Sequence, residues 1–438
     1  MKKPSRFRLL RRLALAAFAL SLSAAAWARP GHVAARSVHE AAAQTVVLRH
    51  ALSGQAEAVL AALVARFNEQ QKGRARVLLQ DANSAPDPGQ APQMALLDTD
   101  DARSFFGTVP RFKPLYRVLA EARTRIRAPF FPLVKDAVDD PAGRLQALPL
   151  GLALPVLFWN KEAFAKAGLD PERAPKTWLE LQHAAGRLLD AGQKCPLTSS
   201  RFNWVHLENI SSQYGEPITV REGRGATKVV LNRLIDIQHL ALISSWNKSH
   251  YFRYFGPGAE ADRRFLSGEC AMLTGASSLY PQAAHAGFAM GIAKLPQYDD
   301  VYGATPGRLL PDGAALWVLD GQTRLQDEVA ARFVMFMLRP EVQRDWVKAT
   351  GFLPMTPVAI AALKADGEPP DLLDAAARRL SERNPLPAEV KRGFGLTRLR
   401  RILSEEVAAV WNDSKSPMDA LDAAMRRVNA AGGRRPGT

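Results

Sequence analysis

Short apolar runs alternate with amphipathic stretches along most of the chain, the pattern of strands and helices taken in turn. Residues 46–48 and 75–79 read as strands. Between them, over 54–70, Leu60, Leu63, Val64 and Phe67 fall at i, i+3, i+4 and i+7, a stripe that packs a helix on a sheet. Ser53 stands where a hydroxyl caps the first free amides. The pattern restarts at Leu154. LPVLFWN reads as a buried strand, EAFAKAGL as a helix closed by Gly168, and Thr177 with Glu180 as a capping box opening a helix that carries Trp178, Leu181, Ala185 and Leu188 on one face. From Phe265, FLSGECAML passes from a helix end through Gly268 into a strand, and the small residues 274–278 read as a loop with approachable amides. Further strands are expected in GFAMGIAKLP from Gly287 and ALWVLD from Ala315. A helix over 325–338 is stopped by Pro340, and two last helices cover 399–411 and the stretch opened by Ser416 and Pro417 with Asp419 in its first turn. This alternation predicts an α/β protein without a fixed-period repeat.

The first residues follow a different pattern. Lys2, Lys3, Arg6, Arg8, Arg11 and Arg12 precede an apolar run over 13–20 that resumes after Ser21 and ends in Ala26, Trp27 and Ala28. Cations, then a short apolar core, then small-x-small is the order of a cleavable secretory signal. The run is shorter than the roughly 20 residues a spanning helix needs. Residues 1–28 are therefore expected to be removed, leaving 29–44 as a leader. No cysteine near the cut can carry a lipid anchor, so the expected place is the periplasm, where a second membrane retains a protein that nothing tethers.

At 438 residues and 47% apolar content the chain is long enough for two or more large cores. The formal charge is +15, of which six positive charges lie in the signal, leaving about +9. A basic balance suits an anionic solute. The basic residues lack the aromatic interleaving and the motifs of nucleic-acid modules, so no nucleic-acid partner is expected. In an oxidising compartment Cys195 and Cys270 fit either a disulfide or two buried thiols.

The marks of catalysis are missing from the sequence. The eight histidines are isolated, and there is no HExxH, CxxC, GxSxG, P-loop or dinucleotide fingerprint. His206 and Glu208 lie two apart, a spacing that does not bring side chains together on a helix. No catalytic residue, metal or cofactor is expected. Trp204, Tyr251, Phe252, Tyr254, Phe255 and Phe352 stand in loop-like settings, where aromatics serve either as platforms for a small solute or as core packing.

From Pro155, PVLFWNKEAFAKAGLDPERAPKTWLEL resembles the strand, helix and loop of family 1 extracellular solute-binding proteins. KCPL at Lys194, NWVHLEN at Asn203, FLSGECAM at Phe265, ALWV at Ala315, TGFLP at Thr350 and RILSEEVAAVW from Arg401 follow the order of its glycerol 3-phosphate-binding branch. The resemblance spans nearly all of the mature chain and is least between Gln80 and Val118. It implies a two-lobed type II fold, with one lobe from 45–153 plus 305–357 and the other from 154–304 plus 358–438. Crossings are implied near 152–155, 304–313 and 355–360. It also implies a monomer that holds sn-glycerol 3-phosphate or a related glycerophosphodiester in the cleft and passes it to ABC permease subunits. A neutral oligosaccharide or polyol is the alternative within the class; a sensor subunit and a periplasmic enzyme are the readings from other classes.

Carried over residue by residue, the resemblance implies that Arg400 meets the phosphate, a role suited to a guanidinium fork. Gly313 lets backbone approach the ligand, Phe352 stands where the family has tyrosine, and Trp204 falls on a cleft tryptophan. The family's serines read Ala153 and Ala276, with Ser277 one place beyond the second. Its glutamate falls on Thr99, between Asp98 and Asp100, and its amino-terminal tyrosine falls in a deletion between Gln80 and Ala91.

Overall fold

The strands β1 (Gln44–His50), β2 (Ala75–Asp81), β3 (Met94–Asp98), β4 (Phe112–Lys113) and β5 (Leu148–Ala153) come first in the chain, followed by β6 (Pro155–Asn160), β7 (Cys195–Ser199), β8 (Thr219–Arg221) and β9 (Thr227–Val229). After them run β10 (Phe252–Arg253), β11 (Cys270–Ala276), β12 (Met290–Lys294) and β13 (Asp312–Leu319). The computed structural model describes residues 44–82, 84, 91–98, 111–221, 227–298, 309–383 and 396–432. The expected signal, most of the leader, Thr99, Asp100, most of the 80–91 deletion region and the part of the second crossing over 304–308 lie outside these residues.

One sheet has the order β2-β1-β3-β13-β4, with β5 also pairing β13. Its first three strands are parallel, whereas β13 returns antiparallel to β3, β4 and β5. The other sheet has the order β10-β7-β11-β6-β12. Helices cover both, because each strand is apolar on faces that must leave water.

The stripe predicted on the first helix is observed. Gly54–Gln71 buries Leu60, Leu63, Val64 and Phe67, and Phe67 meets Phe333 and Phe336 edge-on at 5.2 and 5.5 Å. Burying one such ring stabilises by about 2–3 kcal/mol. Ser53 does not cap this helix: Gly54 turns the chain in at φ +59°, and the Ser53 side chain makes no cap hydrogen bond. Thr177 does cap the helix Trp178–Asp190, its hydroxyl accepting from the Glu180 amide at 3.0 Å, while Glu180 reaches back to the Lys176 amide. The loop expected at 274–278 is shorter. Thr274, Gly275 and Ala276 continue β11 against Leu157, Val156 and Pro155 of β6, and the chain turns only at Ser277.

The first core gathers Leu48, Leu96, Trp317, Phe333 and Trp346; the second gathers Leu157, Trp178, Leu197 and Met272 with Ile402, Val407 and Leu421 of the last two helices. The helices Pro357–Ala365 and Pro370–Leu380 turn Ile360 and Leu380 into the first core, with Leu373 and Ala377 packed against it. These helices therefore share the first lobe's interior, which differs from the expectation that 358 opens a return to the second lobe. Cys195 and Cys270 form a disulfide that joins β7 to β11 across a directly paired register.

Candidate functional site

The chain passes from one sheet to the other at Leu154, where β5 ends at Ala153 and β6 begins at Pro155. Three of the expected site residues surround this crossing. Ser277 donates its amide to the Leu154 carbonyl at 2.8 Å, and its Oγ accepts from the Leu154 amide at 3.1 Å. Gly313 pairs with Leu152 at the start of β13. Phe352 is half-buried and stacks on Trp346 at 5.9 Å, and the next residue, Leu353, donates its amide to the Leu152 carbonyl at 2.8 Å. Gly313 has φ +135°, and a Cβ there would lie 2.1 Å from the Gly151 carbonyl oxygen. Sheet pairing alone thus requires glycine at 313. Gly351 brings the two lobes together, since a Cβ on it would lie 2.5 Å from Pro281 Cδ and 2.8 Å from the Ser278 carbonyl oxygen.

Arg400 and Trp204 form a second group, joined to the first through Asp312. A π-helical turn, Asn203–Glu208, carries Trp204 and Glu208 on the second lobe, and the helix Leu396–Trp411 carries Arg400 beside it. Asn203 ties the two elements, its amide nitrogen donating to the Arg400 carbonyl at 2.9 Å and to Ser404 Oγ at 2.8 Å. The guanidinium of Arg400 grips Glu208 with a full fork, Nε to Oε1 and Nη2 to Oε2 at 2.6 Å each, and gives Nη1 to Asp312 Oδ2 at 2.9 Å. Arg201 makes a second ion pair with the same Asp312 oxygen. Asp312 faces Ala153 in the sheet register, so this quartet touches the crossing itself. Burial pushes the Asp312 carboxyl up, but Arg201 and Arg400 outweigh it and hold the group below the usual carboxylate range.

Beside the quartet lies a cavity of about 370 Å³ walled by Arg201, Trp204, Tyr254, Pro257, Arg400 and Ser404. Trp204 is almost wholly buried. Its indole N–H donates to the Leu310 carbonyl at 2.9 Å, and the Arg201 guanidinium sits over its ring at 4.7 Å. Asn209 holds the same crossing residue by accepting from the Leu310 amide at 2.8 Å. The tryptophan therefore anchors the second crossing and forms one wall of the cavity.

The sequence reading missed Arg201, Asp312, Asn203 and Asn209. A charged residue directly before the glycine of an apolar strand, as in PDGAALW, is the one signal that pointed to Asp312. Glu208 and His206, two apart in the sequence, have separate partners: Glu208 serves Arg400, whereas His206 bonds His239 and Thr274 inside the second core. Of the six aromatics, Phe252 is core, and Trp204 and Tyr254 line the cavity. The backbone of Asp98 pairs with Ala314 in β13. Among the described residues no group of His, Cys, Asp or Glu is placed to hold a metal ion, and no helix is long and apolar enough to cross a membrane.

Two α/β lobes, joined by strands that cross between sheets and carrying a cavity lined by arginines and aromatics beside the crossings, define a two-lobed binding protein. The chain belongs to the bacterial extracellular solute-binding protein family, whose model matches residues 62–370. It is a solute-binding protein and not an enzyme. Over 396 residues it is 33% identical to the sn-glycerol-3-phosphate-binding periplasmic protein UgpB of Yersinia pseudotuberculosis, covering 86% of this chain and 90% of that one. Over 407 residues it is 32% identical to the protein of the same name in Pectobacterium atrosepticum, covering 89% and 91%. Among solved structures it resembles UgpB from Mycobacterium tuberculosis in complex with glycerophosphocholine, with TM-score 0.72 and 19% identity over 89% of this chain and 98% of that one. It also resembles the cyclic alpha-maltosyl-1,6-maltose binding protein of Arthrobacter globiformis, with TM-score 0.66 and 20% identity over 89% and 99%.

Proposed function

We propose that this protein captures sn-glycerol 3-phosphate or a related glycerophosphodiester and delivers it to the permease subunits of an ABC importer. It acts as a monomer in the periplasm, after removal of residues 1–28. The observation that carries this reading is Arg400: its side chain, 21% exposed, forms part of the wall of a cavity that also offers Tyr254 and Ser404. A guanidinium on a cavity wall suits a phosphate, the group named in the relatives' ligand, once the phosphate competes with the carboxylates that hold the guanidinium. Arg400, Trp204, Gly313, Phe352 and Ser277 remain the proposed ligand residues, with Ser277 and Gly313 also setting the crossing. Ligand contacts made only with the lobes closed shift the open and closed populations, which gives the permease a form to recognise.

A second reading, a neutral oligosaccharide or polyol, draws support from the two carboxylates that already hold Arg400. Calorimetry on the mature chain separates the two. Glycerol 3-phosphate or a glycerophosphodiester is expected to bind, and maltodextrins are not. Saturable binding of a maltodextrin with none of any glycerophosphate overturns the phosphate reading.

A further inference from the structure

Resting on the phosphate reading above, the geometry points to Asp312 as a specificity-determining residue, which makes the site select singly charged phosphodiesters over doubly charged phosphate monoesters.

The argument begins with charge. Among the described residues, Arg201 and Arg400 are the cations ion-paired to Asp312; Arg400 is also forked onto Glu208. Asp312 and Glu208 are 2% and 1% exposed, so water screens neither carboxylate effectively. Among the described residues, these two guanidiniums against two buried carboxylates leave no net positive charge in the quartet. The third arginine on the cavity wall, Arg401, is answered by Glu405 at 2.6 Å. A phosphate monoester carries about two negative charges at neutral pH, its second proton leaving near pH 6. A diester has no second proton to lose and carries one charge.

Geometry gives the same preference. Glu208 occupies the whole Nε/Nη2 edge of Arg400, and Asp312 takes Nη1, so the side of the guanidinium best suited to a terminal phosphate is engaged. A diester presents two unesterified oxygens, fewer than a terminal phosphate, and needs room for its second alcohol. The cavity supplies that room against Tyr254 and Pro257. Asp312 also lies on β13 of the first lobe and binds arginines of the second, so its charge acts where the lobes meet.

The test is titration calorimetry at pH 8 with sn-glycerol 3-phosphate and with glycerophosphoglycerol, a diester that bears no cation. The wild-type chain is expected to bind the diester at least about tenfold more tightly, since a unit charge a few ångströms away in a partly buried site is worth that much. Asp312→Asn removes the charge and should narrow or invert the ratio. Asp312→Glu keeps it and should restore the ratio. Equal or tighter binding of the monoester by the wild-type chain overturns the inference even if Asp312→Asn fails to fold, and so does a folded Asp312→Asn chain with an unchanged ratio. Either result leaves the phosphate reading standing. Binding of neither glycerophosphate removes that reading and the inference with it.

Discussion

Arg400 on the second lobe and Asp312 on the first strand beyond the crossing are joined by a 2.9 Å hydrogen-bonded ion pair. The bond links the helix Leu396–Trp411 to β13, and Asp312 is the register partner of Ala153 at the other crossing. On the proposed function, solute recognition and lobe geometry share one guanidinium.

That sharing predicts two separable effects of Arg400→Ala. Glu208 would be left almost fully buried with its main cation gone, so the folded state should lose about 3 kcal/mol, read by urea denaturation. Affinity for a glycerophosphate should fall by roughly ten- to a hundredfold through the loss of a charge-assisted contact. Arg400→Lys keeps a charge but not the fork and should fall between the two. Unchanged calorimetric affinity in a folded Arg400→Ala chain would remove Arg400 from the ligand set.

The disulfide predicts a stability effect confined to the second lobe. Cys195 and Cys270 are both fully buried and 75 residues apart, and closing a loop of that length in the unfolded chain is worth about 4 kcal/mol. The double variant Cys195→Ser, Cys270→Ser should lower the urea midpoint accordingly. Mild reductant should act on the native wild-type chain slowly, because neither sulfur is open to attack. A midpoint that does not move would mean that the register of β7 and β11 is set by their side chains alone.

Much of this architecture was legible in the sequence wherever one face of an element repeats, as in Leu60, Leu63, Val64 and Phe67 or in the Thr177 box. The disulfide stayed open because sequence separation carries no distance; only the parallel pairing of β7 with β11 sets the two cysteines side by side. The helices Pro357–Ala365 and Pro370–Leu380 pack in the first lobe, whereas the resemblance implied a return to the second lobe at 358; a crossing carried over by resemblance does not show which core the following helices enter. The Arg201–Asp312–Arg400–Glu208 quartet was invisible for a similar reason. Its members lie up to 199 positions apart, and charges meet only through the fold. Gly313 was read through resemblance as a place for ligand approach, and the sheet supplies a second, independent need for it.

Gly313→Ala tests which need dominates. The added methyl would have to displace the Gly151 carbonyl at a φ that side chains rarely adopt, so the first sheet must distort where β13 meets β5. The variant should lose about 2 kcal/mol or more of stability. Hydrogen exchange should rise at Leu152 and Ala314 before it rises at Leu197 in the second sheet. A chain that keeps its melting temperature but loses affinity would give the glycine to the ligand instead.

Acid should weaken the protein through a buried pair of histidines. His206 Nδ1 and His239 Nε2 lie 2.9 Å apart; His206 also bonds Thr274, and His239 bonds the Tyr298 hydroxyl at 2.7 Å, all beneath Trp178. Burial pushes His206 down to about 3, and burial together with the neighbouring His206 pushes His239 well below its ordinary value. The unfolded chain takes up these protons below about 6.5 while the folded chain refuses them. Their contribution to stability is therefore complete above 6.5 and is lost as pH falls toward 3, at about 1.4 kcal/mol per proton per pH unit. Asp236 acts in the opposite sense. Its burial, against hydrogen bonds from Ser211 and Arg233, raises it to about 6, so the folded chain gains a proton between 6 and 3.8 that the unfolded chain does not, and stability rises as pH falls through that window. One histidine's loss is offset there, and Asp262 and Asp327, whose carboxyls burial also raises, offset only part of the other's. Melting temperature should therefore decline from pH 6.5 to 4.5, above the range in which the ion-paired Asp312 and Glu406 protonate. His206→Gln with His239→Gln should flatten the decline, whereas Asp236→Asn, which removes the offset, should steepen it. A wild-type melting temperature that stays level across that window would show that the two histidines accept protons inside the folded lobe.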